Sequence, residues 1–402
     1  MINSFSNKDR KSNTHNLLKQ ILYITPYYKP SWFYGGPPKC IAEQAEYLVQ
    51  HFDCKIDVVT LNKNGADTLF DSQIPVVKTV EGVTVHYLPA SKSKLGKAYF
   101  SSPSLKKYLE QFKTYDLVHV HMLFNAFSTA GASFAIKHHI PFGYSVHGML
   151  DKFSLTRSKW MKRVHRFFYE DQQLLMAKFV HFTTENERKN AVISRRAKAE
   201  VIPLGIVFEP FVEYPKQHSY FDLQMVYLGR VNRKKGLDLL LKAMAQLPEN
   251  IKDRVALDIF GEDDDNFMPE LKAFVQDSKL QELVQFKGKL NPSERNQILQ
   301  SYDLLVLTSH QENFGLVVAE ALDQKIPVLI SDKVNLCDEI ENHQCGWVSS
   351  LSVKSISKKV EEAFRTPKHI RAQMGARGHE YVRNSYSFEK VAEMYWELYE
   401  RC

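Results

Sequence analysis

Short apolar runs recur along the chain, and each is followed by a polar turn. In the first half they fall at 20–25, 56–61, 83–88, 117–121, 141–146 and 178–181. In the second half they fall at 225–228, 256–260, 284–288, 304–307 and 327–330, with a last one at 346–348. Runs this short, rich in Val, Ile and Leu, predict buried strands. Between them lie stretches with helical spacing, at 38–50, 104–112, 126–138 and 237–244, then 356–365, 370–384 and 388–399. Alternation of this kind predicts an α/β protein whose parallel sheets carry helices on both faces. In such sheets ligands bind beyond the carboxyl ends of the strands. The turns after strands are therefore where chemistry is sought.

One long stretch, 157–178, stands apart. Trp160, Val164, Phe167, Phe168, Leu174 and Leu175 recur at helical spacing, and Lys159, Lys162, Arg163 and Arg166 cluster on another side. Two readings stay open: a core-packing helix with a solvated face, or a basic amphipathic helix lying on an anionic membrane.

Composition narrows the class. The chain has 402 residues, long for one core, so two domains are expected. No run approaches the roughly eighteen apolar residues of a membrane span. Residues 1–17 are polar, without the apolar centre of a secretory signal, and read as a disordered tail. Five scattered cysteines, without a Cys-x-x-Cys pair, fit a reducing cytoplasm rather than a zinc site. Residues 1–200 carry +12 and residues 201–402 carry −5, which points the first half toward something anionic. No nucleic-acid-binding module is recognisable, so nucleic acid is not the expected partner.

The densest chemistry lies at 301–322. A strand at 304–307 leads through a polar turn into a helix that starts near Phe314 or Gly315 and is apolar nearly all round. Glu320 sits inside that apolar run and Glu312 in the turn before it. A buried carboxylate costs several kcal/mol without a partner. Between the two acids lie the open amides and positive dipole end of a helix. Carboxylate, anion site and carboxylate match, in order, the sugar hydroxyls, pyrophosphate and ribose of a nucleotide-diphosphate sugar. A core acid plus an ordinary helix cap would read the same way.

Glu312, seven residues, then Glu320, within Glu-Asn-Phe-Gly-Leu-Val-Val-Ala-Glu-Ala-Leu, resembles the signature of retaining glycosyltransferases of family four (glycosyl transferases group 1). Gly229-Arg230, four residues, Lys235-Gly236 resembles that family's basic turn. His147-Gly148-Met149-Leu150, directly after a strand, resembles its His-Gly element. The resemblance runs from residue 20 to 399. It implies a GT-B fold, two Rossmann-like domains with a nucleotide-sugar cleft between them. The first would be 18–207 with a returning helix at 386–402, and the second 208–385.

It also implies roles. Arg230 and Lys235 would neutralise the donor diphosphate, helped by amides at Asn313, Phe314 and Gly315. Glu312 would hold the donor sugar, His147 its other side, and Glu320 the ribose. Gly36, in a Gly-Gly-Pro-Pro turn, would face the phosphates. Leu204 stands where the family's interdomain element has Asn, so no polar role falls there. Asp263, Asp264 and Asp265 invite a metal reading, but the basic pair already supplies the charge. No metal and no cofactor beyond the UDP or GDP sugar co-substrate is expected. The expected acceptor is a glycan or a lipid-linked glycan, met in the cytoplasm or at the inner face of the membrane. A nucleotide-sugar epimerase of the same fold is the alternative, with Asp151 the nearest candidate acid. A non-catalytic nucleotide-sugar binder is a further one.

Overall fold

A computed structural model describes residues 18–156, 158–214 and 220–402. The expected tail at 1–17 and the start of the 157–178 segment, Arg157, lie outside the described residues. The chain forms two compact units, one running to Tyr144 and including Tyr399–Cys402, the other Ser145–Leu398.

The first unit is built on β1 (Lys19–Ile24), β2 (Cys54–Leu61), β3 (Val76–Val80), β4 (Val83–Leu88), β5 (Leu117–His121) and β6 (Phe142–Ser145). Their order is β3-β4-β2-β1-β5-β6. β1, β2, β4 and β5 pair in parallel, and β3 adds an antiparallel edge. Ile21, Leu22, Val58, Val59 and Val118 are fully buried, as sheet strands covered on both faces should be. His119 and His121, alternate residues of β5, are buried too; the Tyr399 hydroxyl lies 2.7 Å from His119 Nδ1 and 2.6 Å from the Tyr23 hydroxyl.

The second unit holds the parallel pair β7 (Phe179–Phe182) and β8 (Ala199–Val201). It also holds a six-stranded sheet of β9 (Leu223–Leu228), β10 (Val255–Phe260), β11 (Val284–Gly288), β12 (Leu304–Leu307), β13 (Val328–Ser331) and β14 (Gly346–Ser349). The order is β11-β10-β9-β12-β13-β14, parallel throughout. This is the doubly wound dinucleotide-fold order, and its direction reverses between β9 and β12. The turn after β9 carries Arg230 and Lys235, and the turn after β12 carries Glu312. The topology therefore delivers both motifs to one crevice.

The 157–178 segment departs from a single core-packing helix. A helix at Lys152–Thr156 is followed by Ser158 in the left-handed region, φ 54°. A second helix, Lys159–His165, runs through a π-helical turn at Arg166–Glu170 into Asp171–Met176. The wide turn sends Glu170 inward, where it pairs with His165. Of the apolar stripe only Leu174 is buried; Trp160, Val164, Phe167, Phe168 and Leu175 are exposed. The core-packing reading is thereby corrected.

Candidate active site

The basic turn after β9 and the acidic turn after β12 are locked together through backbone. The His310 amide donates to the Lys234 carbonyl at 2.8 Å, and the Thr308 hydroxyl to the Gly236 carbonyl at 3.0 Å. Gly236 has φ +66°, and a Cβ there would meet the Thr308 carbonyl oxygen at 2.1 Å. Only glycine permits this approach. The approach brings Lys235 Nζ to 2.5 Å from Glu312 Oε2, with both side chains about four-fifths buried. Glu312 is fixed from its other side. Its amide donates to the Lys333 carbonyl at 3.1 Å, and its carbonyl accepts from the Asn335 amide at 3.2 Å.

The helix that follows, Leu316–Asp323, opens after Gly315. The Val318 amide donates back to the Gly315 carbonyl at 2.8 Å, which leaves the Leu316 and Val317 amides as the helix's open donors. The Phe314 side chain is buried, edge-on to Tyr386 with ring centres 5.1 Å apart. Only its backbone is therefore available to a ligand. Glu320, inside the helix, pairs with Arg295 Nη1 at 2.5 Å. The partner that burial demands is thus an arginine of the helix Arg295–Gln300, not the basic turn. Arg230 turns to Asp264 at 3.0 Å and is more than half exposed.

A second cluster surrounds the strand end after β6. His147 and Gly148 both have positive φ, +48° and +74°. Beneath them lies Glu187, almost wholly buried. It accepts from the Gly148 amide at 2.6 Å, and from the Thr183 amide and hydroxyl at 2.6 and 2.7 Å. The Asn313 amide group donates to Thr183 Oγ1 at 3.2 Å and also bonds Glu187. Asn313 Oδ1 is buried without a hydrogen-bond partner among the described residues, and a Cβ on Gly148 would lie 2.9 Å from it. The tight turn at Gly148 and the acidic turn at Asn313 are therefore in contact. Burial, reinforced by neighbouring His181, lowers the His147 pKa from 6.5 to about 3. Its imidazole is neutral at physiological pH and can donate or accept one hydrogen bond.

The structure thus joins Lys235 to Glu312 and the His147–Gly148 turn to Asn313, the residue after Glu312, with the Phe314 and Gly315 backbone following. Arg230 and Glu320 stand on the same turn and helix but point to Asp264 and Arg295. Gly36 belongs to the other unit, where it opens the helix Gly36–His51. Two residues escaped the sequence reading. Glu187 had a signal, because Thr184-x-x-Glu187 reads as a capping box. The Thr184 hydroxyl does cap the Glu187 amide at 3.0 Å, but the carboxylate reaches past the cap to Gly148. Arg295 had none, since its partner is twenty-five residues away. The three aspartates are engaged by protein groups: Asp263 accepts from the Phe267 and Met268 amides, Asp264 from Arg230, and Asp265 from the Arg233 amide.

Two units built on mainly parallel sheets, the second with an acidic and a basic turn meeting at its strand-order reversal, make the two-domain architecture of a glycosyltransferase. The family models agree: "Glycosyl transferases group 1" matches residues 216–381 and "Glycosyltransferase Family 4" residues 34–209, so the chain belongs to this glycosyltransferase family. The alpha-1,3/1,6-mannosyltransferase ALG2 of Homo sapiens is 27% identical over 179 residues. That alignment covers 42% of this chain and 43% of ALG2, so it spans less than half of that relative. Among solved structures, Anabaena HepE in complex with UDP and glucose superimposes with a TM-score of 0.71 at 17% identity, covering 96% of this chain and 100% of HepE. The sucrose-phosphate synthase of Thermosynechococcus elongatus gives 0.69 at 17%, covering 95% and 98%. The fold is the expected GT-B, α/β with two Rossmann-like domains.

Proposed function

We propose that this glycosyltransferase moves a hexose or N-acetylhexosamine from a nucleotide-diphosphate donor to a glycan or lipid-linked acceptor, with retention at the anomeric carbon. The observation that carries the reading is the Lys235–Glu312 pair set beside the open end of the Leu316–Asp323 helix. Breaking the donor's anomeric C–O bond leaves negative charge on the β-phosphate and positive charge on the sugar. Lys235 and the first-turn amides offset the former, and Arg230 joins them once it leaves Asp264. Glu312, released from Lys235 by the incoming phosphate, accepts hydrogen bonds from the donor sugar's hydroxyls. Glu320, oriented by Arg295, takes the ribose. Neutral His147 bonds the sugar's other side without adding a positive charge against the developing cation. No carboxylate is placed as a nucleophile in this scheme, so the departing phosphate takes the acceptor's proton on the same face. The UDP bound in HepE supports UDP as the first donor base to test. No metal takes part in the scheme.

A thermal-shift screen over UDP, GDP and ADP sugars tests the donor, since a ligand bound only by the folded state raises the melting temperature by mass action. One nucleotide sugar should stabilise the protein clearly more than the others. No shift with any of them, at concentrations well above metabolite levels, would remove the reading.

A further inference from the structure

The segment from Lys152 to Met176 presents apolar side chains to solvent that a soluble surface does not need. Trp160, Met161, Phe167 and Phe168 are 77%, 67%, 79% and 63% exposed. Phe153, Val164 and Tyr169 of the same segment are exposed as well. A left-handed residue at Ser158 and a π-helical turn at Arg166–Glu170 interrupt the helical spacing of the stripe. Contiguous apolar patches of this kind mark interaction sites.

Cations rim the patch. Lys159, Lys162, Arg163 and Arg166 line a cavity of about 410 Å³ together with Leu155 and Phe167. One acid, Asp171, also lines it and holds Arg166 at 2.8 Å, while Lys162 donates to the Ser154 carbonyl. Lys159 and Arg163 are exposed, and the Arg163 guanidinium lies 6.0 Å from the Trp160 ring centre. Aromatic bodies flanked by basic heads are what a bilayer interface selects: rings enter the headgroup–acyl boundary while cations meet lipid phosphates.

The geometry points to this surface as a docking site for an anionic lipid bilayer, with Trp160 and Phe167 as insertion anchors and the Lys159–Arg166 cavity as a phosphate-headgroup seat. Charge complementarity selects the occupant. A purely apolar partner face would leave the basic rim unmatched, and a second copy of this surface would oppose cation to cation. No helix among the described residues is long and apolar enough to cross a membrane, so this contact is peripheral. The inference goes beyond the proposed transfer and holds whatever the acceptor is.

The test is co-sedimentation of the full chain with vesicles of phosphatidylcholine alone and of phosphatidylcholine mixed with phosphatidylglycerol. The protein should pellet with the mixed vesicles, should remain in solution with the neutral ones, and should be released by raised salt. The pair Lys159→Ala with Arg163→Ala should weaken partition roughly fivefold for each charge removed. The pair Trp160→Ser with Phe167→Ser should abolish it, and both variants should keep the wild-type melting temperature because all four side chains are exposed. Failure to bind mixed vesicles, or binding unchanged in either variant, overturns the proposal. So does a concentration-dependent dimer that dissociates in Trp160→Ser, which would give the patch to a second copy. Vesicle binding does not depend on turnover, so this result is separable from the donor screen.

Discussion

Glu187→Ala removes the acceptor that ties three turns together. Four groups lose it: the Gly148 amide, the Thr183 amide and hydroxyl, and the Asn313 amide group. The site is nearly water-free, since Glu187 and Thr183 are each 2% exposed. Each buried donor left unpaired costs about 1–3 kcal/mol. The Thr183 hydroxyl can rotate to another acceptor and Asn313 keeps its bond to Thr183, so the two backbone amides set the loss. About 3–5 kcal/mol of folding stability should disappear on that basis. Glu187→Gln keeps one acceptor oxygen but turns an NH₂ toward the other amide, so it should lie between wild type and Ala. Denaturant unfolding with a constant m-value measures both losses. Activity separates architecture from bulk stability. At a temperature where Glu187→Gln is fully folded, the His147–Gly148 turn and Asn313 should still be displaced, lowering kcat more than it raises KM for the donor. If Glu187→Ala unfolds within 1 kcal/mol of wild type, at about the cost of a surface substitution, the carboxylate does not hold these turns.

Acid should act through two histidines. Burial sets the folded pKa values of His147 and His181 at about 3 and about 4, below the ordinary 6.5. Between these values the unfolded chain binds more protons, so stability is complete above pH 6.5 and is lost as pH falls toward 4 and then 3. His147→Gln should flatten this slope; parallel curves for the two proteins would contradict the assignment. Gly236→Ala should cost at least about 2 kcal/mol, from positive φ and from collision with the Thr308 carbonyl, and an unchanged melting temperature would rule out that contact. Arg295→Ala should cost about 1 kcal/mol or less in stability, as the pair is partly exposed. It should raise the donor KM about tenfold by freeing Glu320, and an unchanged KM would separate Glu320 from the ribose.

The strands were legible because a buried parallel strand must be an apolar run, and a turn must follow it. β4, β5, β11 and β12 fall where the sequence places them, the other predicted strands shift by one or two residues, and the short β8, exposed at Ala199, was not predicted. β3 was missed because its centre, Val77-Lys78-Thr79, is exposed and carries no apolar pattern. The segment after residue 157 misled because helical spacing reports a stripe, not which side of it the core occupies. Ser158 and the π-helical turn, which interrupt that spacing, have no marker in composition. In the site, the Lys235–Glu312 contact follows from motifs on adjacent strand ends. Arg295–Glu320 and Glu187–Gly148 are tertiary contacts between unmarked positions, and only packing reveals them.

In the proposed reaction Lys235 and Glu312 act together on the donor's diphosphate and sugar. Once the donor is identified, release of nucleoside diphosphate should be followed in wild type, Lys235→Ala, Glu312→Ala and the double variant. Each single change should lower turnover on the order of 10²–10³-fold, as loss of one charge-stabilising group does, measured at a temperature where every variant is fully folded. The double variant should lose far less than the product of the two. Wild-type turnover in either single variant would contradict the central claim.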